Sequence, residues 1–227
     1  MKNIFFTLLT LCITFGATAG SFEREVSAFN SVLISGNYKV KLVASDKEYV
    51  KINNKEDDLA DEKIVTEVEG SELIIKIKGD NYKSRNLEIT VYYNQLWSVT
   101  VKRGAEVFAK GVLTGDIISA TCESGGRLDM KVECTSLKVN INAGGSIGID
   151  GQTTSADYRI AAGGTIGAID VNADNVLAEV KAGGEIICSV NKKLNVKIIT
   201  GGSVNYRGNP EEIVEDIKLG GKITKLK

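Results

Sequence analysis

The chain has 227 residues, 28 basic and 29 acidic, with no histidine, one proline and 24 glycines. A near-neutral balance without a basic stripe excludes an electrostatic nucleic-acid surface, and the missing histidine removes the usual base near neutral pH and the commonest zinc ligand. Apolar residues are mostly Val and Ile in short runs, which indicates an all-β chain.

In chain order, residues 1–19 have the pattern of a secretion signal. Lys2 gives a positive start, Ile4 to Phe15 an apolar stretch, and Ala17-Thr18-Ala19 a small-residue cleavage site before Gly20. The apolar stretch is too short to span a bilayer as a helix, and no later stretch approaches 18 consecutive apolar residues. Export to the periplasm, outer surface or medium is expected. Acylation at Cys12 is the competing reading, weakened by Leu11, where a lipoprotein box wants a small residue.

Residues 20–100 are expected to form an N-terminal β-strand region. Strand-like segments run Val32 to Ile34, Tyr38 to Val43, Tyr49 to Ile52, Ile64 to Val68, Leu73 to Ile77 and Leu87 to Tyr93. Val40 and Leu42 alternate with lysines, as do Leu73, Ile75 and Ile77 with polar neighbours, so these strands have one buried face. The charged run Lys55 to Lys63 reads as a solvated connection with a helical turn. It lacks the glycine-kinked ligand spacing of a calcium loop. Parity places Tyr93 and Trp97 in the core, and leaves Tyr82 and Tyr92 as candidate exposed binding residues.

Residues 101–227 carry a repeat. Glycine pairs stand at Gly125-Gly126, Gly144-Gly145, Gly163-Gly164, Gly183-Gly184, Gly201-Gly202 and Gly220-Gly221, about 19 residues apart, with a degenerate unit at Gly104-Ala105. Three positions before each pair stand Cys122, Ile141, Ile160, Val180, Ile198 and Ile217; two after it, Leu128, Ile147, Ile166, Ile186, Val204 and Ile223. A further inward column runs Met130, Ile149, Ala168, Cys188 and Tyr206. A fixed period with period-two alternation inside each unit marks stacked strands. Helices are excluded, because a glycine pair in a helix costs roughly 2 kcal/mol against alanine.

The expected fold is therefore a parallel β-helix, a right-handed β-solenoid with about 19 residues per coil, continuous with the N-terminal strand region as one elongated domain. Glycine suits the stacked corners for two reasons. It reaches positive φ without strain, and it lets equivalent corners approach at about 4.8 Å. Gly221, in the last coil, is expected to tolerate a side chain better than Gly164, since nothing stacks beyond it. The ending Lys222-Ile223-Thr224-Lys225-Leu226-Lys227 is expected to blunt the last strand edge.

After removal of a leader, Cys122, Cys134 and Cys188 remain. Cys122 and Cys188 fall in inward columns, where cysteine behaves as a small hydrophobe; a Cys122–Cys134 bridge is left open.

The segments FEREVSAFNSVLISGNYKVKLVASDKEYVKI and DEKIVTEVEGSELIIKI, the small-Gly-Gly corners and the ending GGSVNYRGNPEEIVEDIKLGGKI resemble the putative auto-transporter adhesin, head GIN domain family of secreted bacterial proteins. The resemblance covers residues 22–227, and its most specific stretch joins Val204, Tyr206, Gly208 and Pro210 to the final glycine pair. It implies a β-helical envelope protein of the Bacteroidetes type and little chemistry. Gly-Gly often stands where relatives favour Ser-Gly-Ala. The residues after the leader are expected to be used by the repeat and its N-terminal partner, leaving none of them for a membrane barrel.

A catalytic role is not expected, since Asp129, Asp150 and Asp170 lie three, five and six residues after their glycine pairs and so fall out of one acidic ladder. GGSIGID and GGTIGAID likewise miss calcium-repeat spacing by one residue. No cofactor or metal is expected. The expected function is surface recognition of a glycan or an envelope protein, with a structural or assembly role in the envelope as the alternative.

Overall fold

A computed structural model describes residues 20–54, 59–79 and 86–227. The expected leader and Tyr82 lie outside them. Between residues 98 and 225 the chain winds into a β-solenoid of about seven turns with roughly 19 residues per turn. Strands β8 (Ser98–Lys102), β9 (Glu106–Glu123), β10 (Arg127–Ile141), β11 (Ser146–Ala162) and β12 (Thr165–Ala182) open it. Strands β13 (Glu185–Ser189), β14 (Lys193–Thr200), β15 (Ser203–Arg207), β16 (Glu212–Leu219) and β17 (Lys222–Lys225) complete it. Every pairing among these ten strands is parallel.

The inward columns stack as the repeat requires. Cys122, Ile141, Ile160, Val180 and Ile198 are fully buried, as are Leu128, Ile166, Ile186 and Val204. Neighbouring coils adjust to one another in volume. In the column Ala120, Val139, Tyr158, Ala178, Val196, the wholly buried Tyr158 ring has a valine on one side and an alanine on the other. This alternation of large and small lets the stack fill at interior density.

Before the solenoid come β1 (Ser21–Glu25), β2 (Ser31–Ser35), β3 (Lys39–Ala44), β4 (Tyr49–Asn53), β5 (Ile64–Glu69), β6 (Glu72–Ile77) and β7 (Glu88–Tyr93). They are not a separate layer. Strand β2 lies in parallel between β6 and β8, and β3 between β7 and β9. The chain thus builds one coil from residues 31–44 and later places the 72–93 coil outside it. Antiparallel strands close that end: β5 on β6, β4 on β7 and β1 on β4. The charged run ends in a single 3-10 turn, Asp61–Lys63, preceded by the buried Leu59.

At the corners the two glycines of a pair do different work. Gly163 has φ +65° and open space where a Cβ would stand; Gly164 has φ +102°, and a Cβ there would lie 2.7 Å from the carbonyl oxygen of Gly145. That oxygen accepts the Thr165 N–H at 3.1 Å, so it cannot yield without breaking the ladder between coils. The first glycine answers a backbone requirement, the second a contact with the preceding coil. Gly221 departs from expectation for this reason. Its Cβ would point back to within 2.6 Å of the Ile198 Cγ2, at φ +134°, so the missing next coil gives it no relief.

The last coil is also less protected than expected. All eight residues of β16 are exposed, including Ile213, Val214, Ile217 and Leu219. The lysines of β17 guard only one side of that end.

Candidate functional site

A concavity lies where the N-terminal coils meet the solenoid. It measures about 650 Å³ and is lined by residues 93–97 on one side and 112–117 on the other. Trp97 is 43% exposed there, with Val112 at 45% and Ile117 at 51%. The expectation that Trp97 is core is therefore wrong. The chain between β7 and β8 does not continue strand alternation, so parity carried through Asn94–Leu96 loses its meaning. Tyr93 is buried as expected, and burial pushes its phenol up from the ordinary value.

The Trp97 backbone is pinned on both sides. Its N–H donates to the Asn30 carbonyl at 2.8 Å, and its carbonyl accepts the Ser119 N–H at 2.8 Å. The indole lies beside Gly115, whose missing side chain leaves it room; a Cβ there would stand 3.2 Å from Trp97 Cδ1. Val112 and Ile117 reach the surface because they stand in register with the outward Lys131 and Ser136, while the adjacent Leu113 and Ile118 take the inward positions. Between Phe108 and Val112, β9 carries three residues where β10 has only Met130. This bulge makes the first coil longer than the rest.

A second concavity of about 450 Å³ adjoins the first at Gly115, and a third of about 320 Å³ adjoins it through Asn94, Gln95 and Trp97. Trp97 stands between two troughs. Polar side chains continue from it along the solenoid axis: Thr114 pairs in register with Glu133, Glu133 with Gln152, and Gln152 with Asn172. Asn191 extends the row by donating from Nδ2 to the Asn172 Oδ1 at 2.7 Å. The rungs recur once per coil, about 4.8 Å apart. Beside them, a hydrogen bond from Lys192 holds the Asp174 carboxyl below its ordinary range. Cys134 sits half-buried in the same trough, and burial raises its thiol. The three cysteines among the described residues are free.

The other expected candidate, Tyr92, does not line this groove. Its ring stacks on Tyr49 with centroids 4.1 Å apart and planes 9° apart, across the antiparallel pair of β4 and β7. The acidic residues also differ from expectation. A one-residue bulge in β12, where Ala168 and Ile169 oppose the single Ile149, brings Asp150 into register with Asp170, so these two carboxylates do stack. Each meets a cation: Lys131 lies 3.7 Å from Asp150 and Arg207 3.5 Å from Asp170. Among the described residues no cluster of three or more Cys, Asp or Glu is placed to hold a metal ion. None of the described helices is long and apolar enough to cross a membrane.

Nothing in the sequence alone flagged the axial row. Its members are ordinary surface residues whose alignment depends on the coil register.

The fold is shared with solved bacterial structures. A putative adhesin from Bacteroides fragilis superposes with a TM-score of 0.77 at 20% identity, over 91% of this chain and 96% of that one. A putative lipid binding protein from Parabacteroides distasonis gives 0.73 at 21% identity over 91% and 96%. A putative adhesin from Parabacteroides merdae gives 0.70 at 18% over 91% and 95%. No curated protein matches this chain in sequence. The model of the family described as "Putative auto-transporter adhesin, head GIN domain" matches residues 28–210, and the chain belongs to that family.

Proposed function

We propose that the protein is an exported, non-catalytic recognition protein of the bacterial cell envelope that holds an extended glycan along its lateral groove. The observation that carries this reading is Trp97: a large ring, exposed on a pinned backbone, at the head of a row of polar rungs. A flat aromatic face covers the apolar face of a sugar ring, and amide and carboxylate side chains satisfy its hydroxyls. Solenoids present such surfaces to extended partners. The rung spacing is close to the length of one pyranose unit in an extended chain, so successive coils would meet successive sugars.

The charge of the groove narrows the ligand. The linings of the two adjoining troughs include Asp116, Glu133 and Asp174 and no lysine or arginine, and of these three only Asp174 is paired among the described residues, at the rim with Lys192 at 2.7 Å. A neutral or amino-bearing glycan suits this surface, and an anionic polysaccharide would be repelled. The non-catalytic reading draws support from the absence of histidine and from the compensation of Asp150 and Asp170 by cations. Export is supported by the pattern of residues 1–19 and by the adhesin description of the family.

A glycan array with the wild type and Trp97→Ala tests the proposal. We expect neutral or amino-bearing glycans to be retained and the variant to bind at least about thirtyfold more weakly, as for a central aromatic anchor. Its melting temperature should hardly change, since the side chain is already 43% exposed. Binding that survives the substitution, or selection of sulfated or uronic acid polymers, would refute the groove assignment.

A further inference from the structure

The terminal coil differs from all the others in what its inward columns carry. Strand β16 pairs only with β14, and β17 only with β15, so each has one unpaired edge. Ile213 continues the column of Leu194, Glu215 that of Val196, and Ile217 that of Ile198. Ile223 continues the column of Val204 and Lys225 that of Tyr206. Two charges of opposite sign therefore stand where preceding coils place hydrophobic side chains. Ile213 and Ile217 are each 40% exposed beside them. Lys225 stays at this end through a hydrogen bond from its ammonium to the Asn209 Oδ1 at 2.6 Å.

We propose that this face docks a second copy of the same chain, end to end about a two-fold axis. Continuation by another parallel coil is disfavoured, since it would bury Glu215 and Lys225 under hydrophobic columns without partners. A two-fold in the plane of the end coil does the opposite. It reverses the strand direction and lays β16 of one copy antiparallel to β17 of the other, twice over. In the register that sets Asp216 opposite Lys222 of the second copy, Glu215 lies diagonal to its Lys225 on the inward face, within reach of the lysine side chain, and the exposed isoleucines of the two ends are covered. The charges that exclude a parallel neighbour thus select an antiparallel one, and the assembly closes at two copies. The lysines expected to blunt the edge become half of the contact. This association is independent of the lateral groove.

Sedimentation equilibrium of the protein and two charge-reversed variants tests it. One variant carries Glu215→Lys and Asp216→Lys, the other Lys222→Glu and Lys225→Glu. We expect a wild-type monomer–dimer equilibrium that salt weakens. Each variant alone places like charges on both strand pairs and should raise the dimer dissociation constant at least about tenfold. Mixing the two variants restores opposite charges at both pairs, so a heterodimer of near wild-type affinity should form, which also shows that both variants are folded. A wild type monomeric at its highest soluble concentration overturns the proposal, as do assembly beyond the dimer, a dimer indifferent to the reversals, or a mixture that fails to associate.

Discussion

Two glycines side by side in the sequence carry different requirements, and substitutions separate them. Gly164→Val should cost about 2 to 4 kcal/mol, from positive-φ strain and a Cβ driven against the Gly145 carbonyl. Gly163→Asn meets open space at φ +65°, a region asparagine accepts, and should cost under about 1 kcal/mol. Urea unfolding of the two variants checks the order, and equal losses would refute the division of labour. Gly221→Val should resemble Gly164→Val, because its contact is with Ile198 behind it. The cysteines give a second residue-level test. Burial pushes the thiols of Cys122 and Cys188 up to about 12, whereas Cys134 is only part-buried. Since the thiolate is the nucleophile, a thiol reagent at neutral pH should label Cys134 first in the native protein. Cys122 and Cys188 should react only on unfolding. Early labelling of Cys188 would contradict the packing of its column.

At the level of strands, most of the solenoid was legible because its signals are local. The columns headed by Cys122 and Leu128 repeat at a period visible by eye, and alternation inside each unit assigns a face. What was hidden depends on pairings distant in sequence or on single-residue slips. Ser31 lies opposite both Glu72 and Ser98, and no periodicity announces a strand threaded between two later ones. The extra residue before Asp170 defeats any count of residues after a glycine pair, and so concealed its register with Asp150. Trp97 was misplaced by the same kind of error, parity carried across a segment that is not a strand. The inserted strand makes its own prediction. Ile34 is fully buried between two neighbours and Ile213 is 40% exposed on an edge. Ile34→Ala should cost about 2 to 5 kcal/mol and Ile213→Ala under about 1 kcal/mol in urea unfolding. Similar losses would mean that β2 is not held from both sides.

Across the whole molecule, stability should be graded along the axis. Each coil contacts chiefly its neighbours, so local opening begins where a coil has only one. The two ends are unlike in this respect. The N-terminal end is closed by β1, β4 and β5 in antiparallel pairings, while β16 and β17 leave the C-terminal end open. Hydrogen exchange should therefore proceed from the C-terminus inwards. With the Lys222→Glu, Lys225→Glu variant held as monomer, amides of residues 212–219 and 222–225 should exchange fastest among the solenoid strands. Residues 155–160, flanked by β10 and β12, should exchange slowest. In the wild type at dimer-forming concentration the 212–219 segment should gain protection while 155–160 stays unchanged. Uniform exchange along the axis would mean that the coils open as one unit. Protection of 212–219 that does not vary with concentration would separate the stability of the end coil from association.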